Sequence, residues 1–285
     1  MKYAFIDANR QYWSVAMQCR VFNVSRSGYY QWECSSQSPR SIENEKLDTK
    51  IIDVFDQHKG RYGSPRITQA LKEEGICVNH KRVEKRMVAL GLKAKQAKKF
   101  KATTDSKHNL PIAENLLQQD FSASKPNEKW VGDITYIWTT KGWLYLAVII
   151  DVFSRQVIGW SMSNRMTKKL VCDALLMALR RRHFPTGVIV HTDRGSQYCS
   201  KQYQTLLKDN KLICSMSNKG CCYDNAVAES FFHSLKVESI YDYIFSDREE
   251  AKKVIFEYIE VYYNQQRLHS YLGYKTPAKF EQLYA

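Results

Sequence analysis

WVGDITYIWTTKGWLYLAVIIDVFSRQVIGW, residues 130–160, is the stretch whose reading sets the fold. It holds three runs rich in β-branched and aromatic residues, parted by Thr-Lys-Gly and by Asp-Val-Phe-Ser-Arg, both turn compositions. The pattern predicts a three-stranded meander. Asp133 falls inside the first run, where a carboxylate among apolar neighbours is costly unless a partner answers its charge, most simply a cation.

Downstream the period changes. Leu170, Val171, Ala174, Leu175, Ala178 and Leu179 recur at helical spacing between Thr167 and Arg182, and residues 187–190 then form a short strand that runs into His191-Thr192-Asp193. A strand reached through a crossover helix is expected to lie parallel to its neighbour, and ligands of such sheets gather at carboxyl ends of strands, where Asp193 falls. Gly195 is expected to let the backbone turn sharply after the acid. Asp224-Asn225 reads as a helix start with Asp224 as its cap, and residues 226–239 as a helix with Glu229 in its second turn. Glu229, His233 and Lys236 then share one face, a carboxylate for metal and a lysine for backbone phosphate.

Each acid has an ordinary explanation alone: hydrogen bonding for Asp133, a turn for Asp193, a favourable place near a helix N-terminus for Glu229. Together they make the oxygen-rich set that Mg2+ prefers. Three carboxylates suffice for two ions about 3.5–4 Å apart, which clamp the attacking and leaving oxygens of an in-line displacement. Asp151 and Asp224 read as structural.

HTDRGSQY (residues 191–198), SMSNKGCCYDNAVAESFFHSLKVE (215–238) and YYNQQRLHSYLGYKTPAKF (262–280) resemble the OrfB product of bacterial insertion elements of the insertion-sequence-three family, within the DDE transposases and retroviral integrases. The 36 positions from Asp193 to Glu229 match the D,D(35)E subgroup. The resemblance implies an α/β, ribonuclease H-like core with a mixed five-stranded sheet and flanking helices, behind an all-α helix-turn-helix region. It implies Asp133, Asp193 and Glu229 as catalytic and metal-binding residues, two Mg2+ ions with Mn2+ as the alternative, and Lys236 on the DNA of the element's ends. It implies cleavage at those ends, strand transfer into target DNA, a homo-oligomer on DNA, and an OrfA partner or an OrfAB fusion. Cys199, Cys221 and Cys222 depart from the polar residues usual in that family. The rival readings are a ribonuclease H-like nuclease without strand transfer and a DNA-binding regulator or accessory OrfB product without transposition activity of its own.

The charge agrees with a polyanionic partner. The formal net charge of 285 residues is +14; residues 1–110 carry 21 basic and 11 acidic side chains, residues 111–285 carry 22 and 18. No apolar run reaches membrane length, and MKYAFIDANR lacks the apolar core of a signal peptide, so a cytoplasmic protein is expected. The eight cysteines are scattered without Cys-x-x-Cys spacing, which indicates neither zinc nor a disulfide framework.

Four segments are expected: a helical DNA-binding region over 1–101 with two helix-turn-helix-like units, a linker over 102–128, the catalytic core over 129–240, and a helix and tail packed on it over 241–285. In the first helical pair, residues 14–31, Ser25 caps the second helix and Arg26, Ser27 and Tyr29 face outward to base edges. An amphipathic helix follows over 41–58. In the next pair, Asn79 caps a helix whose outer face carries Lys81, Arg82, Lys85 and Arg86, with Val83, Met87 and Leu90 inward. Lys93, Lys95, Lys98, Lys99 and Lys101 extend the charge, a composition suited to phosphate contact. Arg267 and His269 in the tail read equally as DNA contacts or as packing.

Overall fold

The computed structural model describes residues 1–34, 39–95, 111–218 and 222–284. The chain forms two units, Met1–Lys93 and Ala94–Ala285.

In the first unit, α1 (Lys2–Ala8), α2 (Val15–Val21) and α3 (Arg26–Glu33) close on Ile6, Cys19 and Tyr29. Ser14 and Ser25 accept from the Met17 and Gly28 amides, satisfying helix donors that have no partner within the helix. The turn between α2 and α3 runs through Asn23 at φ 51, a left-handed conformation that asparagine tolerates. The helices α4 (Pro39–Gln57), α5 (Ser64–Glu73) and α6 (His80–Ala89) bury Ile51, Val54, Ile67, Leu71 and Val83, and Asn79 caps α6 through Lys81 N.

The second unit is built on the expected meander: β1 (Lys129–Thr139), β2 (Gly142–Asp151) and β3 (Val157–Ser163). α7 (Lys168–Arg181) crosses over to β4 (Ile189–Thr192), which lies parallel to β1. α8 (Lys201–Asp209) leads to β5 (Ile213–Met216), parallel to β4, so the five-stranded sheet runs β3-β2-β1-β4-β5. One face buries Trp130, Ile149, Leu175, Ala178, Val190 and Tyr203 beneath α7 and α8. The approach is close at Gly159, where a Cβ would stand 2.3 Å from the Ala174 carbonyl oxygen, so only glycine lets α7 lie flat on β3.

α9 (Ala226–Leu235) and α10 (Arg248–Phe256) lie over β1 and β2. Each continues into π-helical backbone, Lys236–Ile240 and Glu257–Tyr263, and the chain ends on α11 (Pro277–Gln282). The edge strand β3 is covered by a side chain: Asn264 Oδ1 accepts from Val157 N at 3.0 Å while Asn264 Nδ2 donates to Val157 O at 3.0 Å, replacing a missing strand.

Residues 111–128 are not a free joint. Leu117 is buried, Leu116 N donates to Ser215 Oγ, and Met216 N donates to Glu114 O, so this segment packs beside β5. Its apolar patch makes it part of the core. Residues 102–110 lie outside the described residues.

Among the described residues, no helix is long and apolar enough to cross a membrane.

Candidate functional site

The pairing of β1 with β4 ends at Gly132↔Thr192. The next residue on each strand is an aspartate, Asp133 and Asp193, so a parallel register brings two carboxyls to adjacent strand positions. Asp193 Oδ1 accepts from Gly195 N at 2.9 Å and Asp133 Oδ1 from Ile134 N at 2.8 Å. Asp133 is densely surrounded by protein yet still touched by solvent. Burial and then the nearby Asp193 push its carboxyl well above the ordinary range, Glu229 adds repulsion, and the Ile134 amide and Lys236 pull it back. Gly195 serves differently from the expectation. Its φ is not positive, and a Cβ there would stand 3.0 Å from Asp193 Oδ1, so it clears room for the carboxylate rather than making a left-handed turn.

The third acid comes from α9. Because that helix begins at Ala226, Glu229 lies in its first turn, not its second, near the positive end of the helix. Glu229 is exposed, with protein crowding one side of its carboxyl and raising it. Asn225 Nδ2 donates to Gly132 O at 3.2 Å, tying the start of α9 to the residue before Asp133. Lys236 reaches the same place: its ammonium lies 5.3 Å from the centre of the Tyr136 ring and within the field of Asp133, while burial lowers its pKa. His233 is exposed, and no hydrogen bond or ion pair of its ring is seen among the described residues.

As they lie, no three His, Cys, Asp or Glu side chains among the described residues stand close enough to enclose an ion. Asp133 and Asp193 form the fixed half of the arrangement, and Glu229 stands off on an exposed helical turn. The donor set nevertheless suits a hard cation. It is all carboxylate oxygen, and its two fixed members repel each other where a positive charge between them relieves the repulsion.

Asp151 and Asp224 are structural, as expected. Asp151 is fully buried and accepts from Asn127 N and Phe153 N, with Arg182 3.7 Å away; burial raises it to about 6. Asp224 does not cap α9. It accepts instead from Asn115 Nδ2, Gln119 Nε2 and Asn218 N, binding residues 115–119 to the start of α9.

Several groups around the site were not anticipated. Tyr198, beneath the acid pair, carries a buried hydroxyl with no hydrogen-bond partner among the described residues, and burial together with Asp133 and Asp193 holds it protonated. His191 is enclosed between Ser215 Oγ at 2.8 Å and Ser217 Oγ at 3.1 Å, and burial lowers it to about 4, so it is a neutral strut. Arg267 is interior, not a DNA contact. It meets Glu238 through Nε at 2.9 Å and Nη2 at 2.8 Å, Ser234 Oγ through Nη2, and His269 Nε2 at 3.2 Å through Nη1.

The basic residues divide. Arg26 and Ser27 at the start of α3 are exposed, but Tyr29 is buried and donates to Asp7 Oδ1, because it lies on the side that closes the small core. On α6, Lys81 and Lys85 face solvent as expected. Arg82 and Arg86 do not: Arg82 reaches Glu43 Oε1 at 2.9 Å and Asn44 Oδ1, and Arg86 makes a two-pronged pair with Asp48, both half-buried against α4. These two flank the apolar stripe of Val83 and Met87, so helix packing carries them onto acids of α4. Leu90 is only partly buried. Lys95 pairs with Asp242 Oδ2 at 2.6 Å, while Lys98, Lys99 and Lys101 lie outside the described residues.

A mixed five-stranded sheet with one acid inside β1, one just past the end of β4 and one on a following helix is the framework of a polynucleotidyl transferase with an integrase core. Residues 123–222 and 229–283 match integrase core domain models, and residues 41–100 match an HTH-like domain. The chain is 52% identical over 284 residues to the transposase InsF for insertion sequence IS3A of Escherichia coli (strain K12), covering 99% of this chain and 98% of the relative. It is 48% identical over 266 residues to an insertion element IS600 31 kDa protein of Shigella sonnei, covering 93% and 98%. The chain therefore belongs to the IS3 family of insertion-sequence transposases, DDE-type enzymes of DNA transposition whose substrate is DNA. Integrase-core enzymes are metal-dependent. Among solved structures, it is similar to a simian T-cell lymphotropic virus intasome (TM-score 0.45, 19% identity, 75% of this chain and 70% of that one). It is also similar to the HTLV-2 integrase catalytic core domain in complex with magnesium (TM-score 0.38, 19% identity, 55% and 97%).

Proposed function

We propose that Asp133, Asp193 and Glu229 are the catalytic, metal-holding carboxylates of this transposase, and that the observation carrying the assignment is the Gly132↔Thr192 register that sets the two aspartates side by side. Asp133 and Asp193 would hold the ions from the sheet, and Glu229 would supply the third carboxylate from the first turn of α9. Bound there, two Mg2+ ions, or Mn2+ in their place, supply the Lewis acidity that activates water for end cleavage and then the freed 3′-hydroxyl for strand transfer. Lys236 takes a backbone phosphate beside Asp133, with His233 one turn earlier on the same face. Lys81 and Lys85 hold DNA phosphates from the amino-terminal unit, and Arg26 reads base edges from the start of α3. The enzyme works as a homo-oligomer on DNA in the cytoplasm, and an OrfA partner or an OrfAB fusion supplies the complete transposase.

The test is Asp193→Asn. It should abolish cleavage and joining while leaving binding to end DNA unchanged, and joining should also fail on pre-cleaved 3′-hydroxyl ends. A second readout is independent of activity: MgCl2 should raise the melting temperature of the wild type, since an ion that binds only the folded state stabilises by about 2.7 kcal/mol at a hundred times Kd. Asp193→Asn should lose that response. Cleavage by Asp193→Asn in magnesium, or an undiminished magnesium-induced shift, overturns the assignment.

A further inference from the structure

β4 ends opposite Gly132 and the pairing of β3 with β2 ends at Tyr145, opposite Tyr136, so beyond Tyr136 β1 and β2 continue as a two-stranded ribbon to the turn at residues 140–141. On that ribbon Tyr136 and Trp138 share a face with Ile134 by the two-residue period, and Trp138 is paired directly with Trp143. Ile134 packs into the core under α7 and α8; the residues beyond it on the same face run out from under those helices into solvent. Trp138 is 57% exposed, Trp143 42% and Tyr136 37%. Trp143 meets Tyr136 edge-on at 5.1 Å between ring centres and Trp138 edge-on at 4.8 Å, so the three rings brace one another as a wall.

We propose that Tyr136, Trp138 and Trp143 form a stacking platform for unpaired bases of the DNA strand whose backbone lies at Asp133 and Asp193. The inference rests on the functional reading above and adds a substrate feature to it, namely strand ends opened out of the duplex. Three observations choose DNA over a protein partner. First, the platform lies on the strand that carries Asp133: at about 3.3 Å per residue, Tyr136 lies about 10 Å and Trp138 about 17 Å along it, on the opposite face by the two-residue period, and Lys236 reaches both the Tyr136 ring and the field of Asp133. Second, cations flank it: Lys236 over the Tyr136 ring at the inner end and, at the outer end, Lys141, 70% exposed and 3.9 Å from Asp247 Oδ2. Third, the chain carries a formal net charge of +14, which favours an anionic occupant. Base stacking on aromatic side chains tolerates any sequence, because every base has a π-face, and contributes about 1–3 kcal/mol per base.

The experiment compares two fluorescein-labelled DNA duplexes of one sequence, one blunt and one with a five-nucleotide single-stranded end, binding the full chain in calcium by anisotropy. The wild type should prefer the open end by about 5- to 150-fold per stacked base. Trp138→Ala should lose that preference and keep its affinity for the blunt duplex, whereas Trp138→Phe, which retains a ring, should keep most of it. Asp193→Asn should retain the preference in full, so a failure of the metal-triad assignment leaves this result standing and is told apart from it. The proposal is overturned if Trp138→Ala, folded by circular dichroism, prefers open ends as the wild type does. It is also overturned if the wild type has no such preference, or if Trp138→Ala instead dissociates an oligomer with the preference intact.

Discussion

Replacing Arg267 by methionine isolates the interior ion pair that joins the tail to the segment after α9. Arg267 is 6% exposed and Glu238 5%, and Glu238 also accepts from the Tyr258 hydroxyl at 2.9 Å. Burial alone would lower the pKa of the guanidinium, but Glu238 outweighs it and raises it, so the guanidinium stays charged at every working pH. Arg267→Met fills a similar volume and takes the guanidinium away from the buried Glu238 carboxylate, which the Tyr258 hydroxyl still meets. Breaking a buried pair from one side costs about 3–5 kcal/mol, mostly the penalty of the abandoned charge. For a unit of this size that is a fall of about 6–20 °C in melting temperature. The double variant Arg267→Met/Glu238→Leu removes both charges and should regain most of the loss, since well-packed apolar replacements for a buried pair are often neutral. The assay is thermal and urea unfolding of the full chain, followed through the transition of the carboxyl-terminal unit. A loss below about 1 kcal/mol for the single variant, or a double variant no more stable than the single, refutes the account.

Two further outcomes follow from side chains already described. Asp151, raised to about 6 by burial, binds its proton more tightly folded than unfolded, so the stability it contributes is present below about 4 and is lost as pH rises through about 6. Asp151→Asn should remove that dependence, worth about 3 kcal/mol, and calorimetry at pH 4.5 and 7 should show the variant gaining on the wild type at the higher pH. On α6, Lys81→Ala/Lys85→Ala should weaken DNA binding and flatten its salt dependence by about two counterions without lowering the melting temperature, whereas Arg86→Ala, which strands Asp48, should destabilise the amino-terminal unit. Equal salt slopes for wild type and the lysine variant would remove Lys81 and Lys85 from the DNA contact.

The parts of the fold that a local pattern can encode were legible in the residues. The alternation over 130–160 and the apolar stripe of α7 each arise from one element meeting one core, and β1, β2, β3 and α7 lie where those periods put them. β5 had no such signal. Ile213-Cys214-Ser215-Met216 is four residues long, and it becomes a strand only because β4 supplies its hydrogen bonds. The same division runs through the site. That Asp133 and Asp193 each end up at a strand could be read locally; that they are neighbours depends on Gly132 standing opposite Thr192, a pairing across sixty residues that no local period records.

Charge is where local reading fails most instructively. A helical wheel for α6 separates inside from outside but has no coordinate for the flank, and Arg82 and Arg86 sit on the flank of the Val83–Met87 stripe, where α4 presents Glu43 and Asp48. Residue type held part of the answer. The planar guanidinium suits a two-pronged carboxylate partner at a half-buried boundary, and the strongly hydrated ammonium suits a position that stays in water until a phosphate arrives. On this helix the arginines knit the fold and the lysines stay in solvent. Arg267 follows the same rule, since its five donors are spent on Glu238, Ser234 and His269 rather than on a phosphate. In a chain with a net charge of +14, the count of basic residues therefore overstates the surface offered to DNA by the arginines that the fold has already paired.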